Sequence, residues 1–163
     1  GRDWAVLGVF ELAARLHEYL PEHERNFGRT FVTGVKMGWE VRPEGWGEAS
    51  KLRARLNAWC AEIFDRYDLL VTPTVPYDAP PAGGPFPETT EGRPQVLAGV
   101  AAFTIPFNLS WHPAATVRVG LSRAGLPMGM QIVGRRHHDD LVLQAARAFE
   151  RERPWHPHWA TEF

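Results

Sequence analysis

The sequence predicts an α/β fold, and three features carry that prediction. Apolar residues recur every three or four positions in the N-terminal part, short β-forming runs appear only after about residue 68, and one more helical pattern follows them. Residues 1–67 therefore read as a helical region, and 68–163 as strands, a Pro/Gly-rich loop and a C-terminal helix, all within one domain. With 163 residues there is material for one core and little for two.

Taken in order, "DWAVLGVFELAARLHEYLP" places Val6, Val9, Ala13, Leu16 and Leu20 on one helical face, with Asp3 as capping candidate and Pro21 as terminator. A polar loop, "EHERNFG", comes next. The stretch "TFVTGVKMGWEV" is expected to be a short helix, although its glycines weaken a helix and a strand alike. A longer helix is predicted from about Glu44 to Tyr67, with Ala49, Leu52, Leu56, Trp59, Ile63 and Tyr67 as its apolar stripe and Cys60 beside it.

"DLLVTPTVP" then gives a short strand, Leu69 to Thr72, stopped by Pro73 and Pro76. Residues 77–94 read as a long surface loop, and "QVLAGVAAF" as one short helix. "ATVRVGL" and "MGMQIV", joined by "SRAGLP", predict an antiparallel hairpin in which Val117 and Val119 share a face, as do Met128, Met130 and Ile132. Gly129 is costly in a strand unless something packs closely against it. Asp139 or Asp140 is expected to cap a last helix, lined by Val142, Ala145, Ala146 and Phe149 and ending before Pro154. Two or three strands do not make a self-sufficient α/β sheet, so the apolar faces point to partners outside the chain.

Composition excludes several classes of function. The net charge is -1 and the pI about 6.7, with no basic face, which argues against a nucleic-acid partner. No apolar run approaches the roughly 20 residues of a membrane span, so no membrane partner is expected. The single cysteine, Cys60, cannot form an internal disulfide and fits a cytoplasmic setting as a small buried hydrophobe. The chain begins at Gly1 rather than at methionine, which points to a cleavage product or a piece of a longer protein.

Reactive groups are few. The serines are Ser50, Ser110 and Ser122, and the lysines Lys36 and Lys51. A nucleophilic hydrolase needs a hydroxyl or thiol beside a base, commonly on a glycine-rich turn. Ser110 lies near His112 in "NLSWHP" without such a turn, and its hydroxyl is expected to bond nearby backbone. "HHDD" (137–140) and "HPH" (156–158) hold metal-type donors but lack the recurring spacing of structural zinc; they read as a helix entry and a tail. Asp65 and Asp68 flank a helix-to-strand turn. No metal, no cofactor and no catalytic set is expected.

Four segments together carry a resemblance: "RYDLLVTPTVP", "FTIPFNLSWHPAATVRVGL", "GLPMGMQIVGR" and "DDLVLQAARAFE". In this order and spacing, over roughly Gly45 to Glu150, they resemble the C-terminal third of the amidase signature family. The resemblance implies the C-terminal portion of a mixed β-sheet flanked by helices, incomplete as an isolated chain, with "MGMQIV" an interior strand. It also implies hydrolysis of carboxamides to carboxylate and ammonia or amine by a Ser–Ser–Lys triad. That triad lies upstream of the matching region: no two serines are adjacent here, and neither Lys36 nor Lys51 has the family's lysine context. The isolated chain is expected to be inactive. By the same resemblance the "NLSWHP" turn lies on the active-site side of the sheet, which makes Asn108, Trp111 and His112 the substrate-binding candidates. Trp111 stands where the family usually has a glycine that leaves space, and Arg118 where proline is common. Expected partners are a small-molecule amide in the full-length enzyme, and a second copy or the missing N-terminal region. There are two alternatives: a fragment of the A subunit of an amidotransferase, or a non-catalytic, partner-binding relic of the fold.

Overall fold

The structure, a computed structural model, describes residues 2–95 and 99–155. Four helices lead: α1 (Arg2–Leu16), a one-turn α2 (Leu20–His23), α3 (Arg29–Trp39) and α4 (Pro43–Phe64). Strand β1 (Leu69–Pro73) follows, then a loop carrying the two-residue ribbon β2 (Thr89–Thr90) and β3 (Arg93–Pro94). After a 3-10 turn at Gly99–Ala101 come α5 (Ile105–Ser110), β4 (Ala114–Leu121), β5 (Pro127–Gly134) and α6 (Asp139–Glu152). Of the short helix expected over "QVLAGVAAF", Gly99–Ala101 form that 3-10 turn, while Val96, Leu97 and Ala98 lie outside the described residues, as does the "HPH" run.

Pro21 starts a helix instead of ending one. The chain turns at residues 17–19, and Pro21 occupies the first turn of α2, where its missing N–H is not needed. Asp3 lies inside the first turn of α1. Likewise the N-cap of α6 is His138; Asp139 and Asp140 sit in the first turn, where their charges favour the helix N-terminus without a capping bond.

One of the two glycines of α3, Gly38, has a packing reason. A Cβ on Gly38 would meet the carbonyl oxygen of Val9 at 2.0 Å, so α1 and α3 cross with their backbones almost touching. Ala13, Leu20, Val32 and Val35 fill the space around that crossing. On α4 the buried line is Ala49, Cys60 and Phe64, with Leu56 half-buried. Trp59 and Tyr67, predicted on the apolar stripe, are exposed at 45% and 61%. The stripe is rotated by one position because α4 packs on α5 and β5, which collect Cys60 and Phe64 against Phe107 and Val133.

Strand order is β1-β5-β4, both pairings antiparallel, so β5 is the interior strand as expected. One face of the sheet presents Val133 to α4 and α5; the other presents Val117 and Ile132 to Val142, Ala145, Ala146 and Phe149 of α6. A β-bulge between Arg118 and Gly120 breaks the alternation, so Val117 is buried while Val119 is exposed, contrary to the shared face predicted for them. Buried Gln131 donates from Nε2 to Thr72 Oγ1 (3.0 Å) and to the carbonyl of Phe103 (2.8 Å), which ties β5 to β1 and to the segment entering α5. Arg135 donates from Nη2 to the carbonyl of Phe64 and to Asp65 Oδ1 (3.3 Å), which caps α4 from the end of β5. Those two links fix where α4, α5 and the sheet meet.

The chain exposes 12316 Å² of surface. A compact 18.4 kDa monomer is expected to expose about 8,200 Å². The difference is surface that the chain does not bury within itself.

Candidate functional site

Helix α5 has only six residues and stops abruptly. Its C-cap is Trp111, in the left-handed region at φ 59° and ψ 38°. The N–H of His112 then turns back onto the carbonyl of Phe107 at 3.1 Å. A glycine is the usual residue at such a left-handed cap, because a Cβ crowds the following carbonyl. The glycine that the resemblance expects here therefore has a backbone reason as well as the spatial one.

This turn aims three consecutive side chains in different directions. Ser110 points inward and is fully buried; Trp111 points outward and is 64% exposed; His112 is half-buried. Ser110 Oγ lies 2.8 Å from His112 Nδ1. On its other side stands the thiol of Cys60 from α4, with Sγ 3.9 Å from Ser110 Oγ. The hydroxyl thus bonds two side chains, not the nearby backbone that the sequence suggested. The His112 ring stacks on Phe64, with centroids 5.3 Å apart and planes at 23°. Burial, then the neighbouring guanidinium of Arg136, hold His112 below the usual histidine range; the backbone carbonyl of Ser110 opposes them. Burial also pushes the Cys60 thiol up, against the opposing effects of Ser110 and Arg136, so it stays protonated at neutral pH.

Two guanidiniums flank the exposed indole of Trp111: Arg53 from α4 at 5.0 Å from the ring centroid, and Arg136, just after β5, at 5.3 Å. Asn108 is exposed on α5. The three candidates from the sequence therefore share one turn, yet only Trp111 and His112 engage neighbouring elements. Arg53, Arg136 and the Cys60–Ser110 contact were missed. Arg53 lies off the predicted stripe, and nothing in a linear reading brings Arg136 back to α5.

The remaining chemical candidates lie apart. Lys36 pairs with Glu24 at 2.9 Å and Lys51 with Glu48 at 2.7 Å, both as exposed ion pairs. Ser122 receives the N–H of Ala124 within the β4–β5 turn. His137 and His138 lead into α6, and no group of three or more His, Cys, Asp or Glu side chains among the described residues could hold a metal. Ser110 and His112 have the spacing of a nucleophile and its base, but a hydroxyl with no exposure cannot reach a substrate carbonyl. No described helix is long and apolar enough to cross a membrane.

The fold and this turn define a class. The family model described as Amidase matches residues 9–143, and the chain belongs to that family. Among curated relatives, it is 30% identical over 151 residues to the A subunit of the glutamyl-tRNA(Gln) amidotransferase of Geotalea daltonii, covering 90% of this chain and 30% of that protein. It is 38% identical over 96 residues to the 6-aminohexanoate-cyclic-dimer hydrolase of Pseudomonas sp. strain NK87, covering 55% of this chain and 20% of the relative. Among solved structures, a bacterial aryl acylamidase of the amidase signature family aligns with a TM-score of 0.69 at 29% identity, over 93% of this chain and 32% of that one. A structure described as an amidase aligns with a TM-score of 0.79 at 24% identity, over 91% and 34%, and speaks for the fold alone. The chain spans about a third of the length of the curated relatives it matches.

Proposed function

We propose that this chain is the C-terminal part of an enzyme that hydrolyses carboxamides to carboxylate and ammonia or amine. In this reading a Ser–Ser–Lys triad outside the chain performs the chemistry, and the chain alone is inactive. The observation that carries it is a pairing: the chain belongs to the amidase family, while its single serine beside a histidine, Ser110, is fully buried. What the chain contributes is architecture. Strands β1, β5 and β4 supply sheet, and the turn holding Asn108, Trp111 and His112 lines the acyl-binding side of the completed site. An exposed indole, stiffened by two guanidiniums, favours small or flat amides.

The A subunit of an amidotransferase is the second reading, because relatives of that name match at up to 35% identity over 146 residues. Trp111 in place of the usual glycine counts against it. Its substrate would be glutamine, in association with other subunits. The test is ammonia release by the full-length protein from aliphatic amides, aryl amides and glutamine. Turnover of a small or aryl amide above glutamine supports the amidase; glutamine alone supports the amidotransferase. No turnover by a folded full-length protein leaves the partner-binding relic.

A further inference from the structure

The contacts of Ser110 have a direction. A hydroxyl carries one proton, and this one lies between a thiol and an imidazole nitrogen. Two arrangements satisfy the geometry. In the first, the thiol of Cys60 donates to Ser110 Oγ, and the hydroxyl donates to His112 Nδ1. In the second, His112 Nδ1–H donates to Ser110 and the hydroxyl donates to sulfur. Sulfur is a poor acceptor, whereas a neutral imidazole nitrogen is a good one. At 3.9 Å the sulfur also stands much further from the hydroxyl than Nδ1 does at 2.8 Å. The first arrangement gives the O–H to the better acceptor at the shorter distance.

If Nδ1 accepts, the proton of the neutral ring is on Nε2. Among the described residues, the buried side-chain polar atoms without a partner are Ser50 Oγ and Asn57 Oδ1. Nε2 is not among them and bonds no described residue, so it is within reach of solvent or of a ligand.

We propose that Cys60 and Ser110 are positioning residues: they hold His112 in the Nε2–H tautomer, so that its ring offers a fixed, neutral hydrogen-bond donor to the carbonyl oxygen of an amide substrate at the α5–β4 turn. The tautomer is inferred from the two contact distances and the poor acceptor strength of sulfur; the identity of the acceptor rests on the amidase reading above. In this role His112 is a donor and not a base. Phe64 stacks on the ring and limits its rotation, and the cation of Arg136 disfavours a second proton.

The experiment is a long-range proton–nitrogen correlation spectrum of the full-length protein carrying 15N-histidine, at neutral pH without substrate. The His112 signals are identified by their loss in His112→Gln. The expected pattern is an unprotonated Nδ1 and a protonated Nε2. In Ser110→Ala the tautomers should become mixed, and Ser110→Thr should restore the pattern. A protonated Nδ1 in the unmodified protein overturns the proposal whether or not any variant folds, and so does a folded Ser110→Ala with an unchanged spectrum. With the amide that proves to be turned over, His112→Leu should raise KM several-fold with little change in kcat, and His112→Gln, which keeps a donor, should recover most of the loss. An unchanged KM in His112→Leu overturns the acceptor assignment. Absence of any amide turnover overturns the function reading instead and leaves the tautomer result standing.

Discussion

The hydroxyls of Thr74 and Thr116 lie 3.2 Å apart, directly across Gly129. A Cβ on that glycine would stand 2.8 Å from Thr74 Oγ1 and 2.9 Å from Thr116 Cγ2, so the pair closes over the backbone where a side chain would otherwise project. Thr74 also donates its N–H to the carbonyl of Gly129 at 3.0 Å. The glycine is what lets the interior strand lie under this bridge.

Gly129→Val is therefore expected to destabilise the protein by about 1–3 kcal/mol, even though valine is a good strand former, because the Thr74 and Thr116 side chains must shift and give up their hydroxyl contact to make room. Denaturant midpoints on the full-length protein check this. An unchanged midpoint with an unchanged slope means that the threonine bridge carries no packing constraint.

Two glycines of α3 should respond in opposite directions. Gly34 has no atom within 4 Å of the position its Cβ would take, whereas Gly38 faces the Val9 carbonyl. Gly34→Ala is expected to stabilise by up to about 1 kcal/mol through helix propensity. Gly38→Ala is expected to destabilise by about 1–3 kcal/mol, because backbone of α1 must move away. Thermal melts of the two variants measured side by side decide it, and two changes of the same sign would contradict the close crossing of α1 and α3.

Much of this was legible in the sequence. The hairpin and the apolar side of α6 follow from local periodicity, where short-range pattern and long-range packing agree, and the interior position of β5 was implied by the family resemblance. The misread elements are those in which a distant neighbour decides. Trp59 is exposed because α5 and β5 lie against the adjacent line of α4, and Val119 is exposed because a bulge resets the alternation. At the candidate site, the sequence supplied Asn108, Trp111 and His112. It could not supply the contact of Cys60 with Ser110, 50 positions apart, or the approach of Arg53 and Arg136 to one indole.

Trp111 offers a sharper test than its exposure alone. Its left-handed backbone strains any residue with a Cβ by about 1–2 kcal/mol, while each cation–π contact at an exposed site returns about 0.5–1 kcal/mol. Trp111→Gly loses both contacts and the strain; Trp111→Ala loses the contacts and keeps the strain. The glycine variant should be more stable than the alanine variant by about 1 kcal/mol, and neither should approach the roughly 3–5 kcal/mol loss of an emptied core site. If the indole also narrows the acyl side, Trp111→Gly raises the kcat/KM ratio of a long to a short amide. An alanine variant as stable as the glycine variant removes the backbone argument.

The histidine at the turn makes stability depend on pH. His112 has a depressed affinity for protons in the folded chain, so between its ordinary value near 6.5 and its lower folded value the unfolded chain binds more protons. Stability is full above about pH 6.5 and falls as the pH drops through that window. The charged and polar groups that face the ring are the guanidinium of Arg136, just after β5, and Ser110 on α5. Denaturation midpoints of the native protein and of His112→Asn should diverge less at pH 5 than at pH 7.5. Parallel pH dependence in the two proteins would show that the ring titrates as it does in the unfolded chain.

The central claim is that this chain is scaffold for amide chemistry performed by residues outside it. Its most direct test is an assay of the 163-residue chain alone, on aliphatic and aryl amides and with a serine-reactive fluorophosphonate, beside the full-length protein. Ammonia release and covalent labelling are expected from the full-length protein only. Turnover by the isolated chain that disappears in Ser110→Ala would contradict the claim.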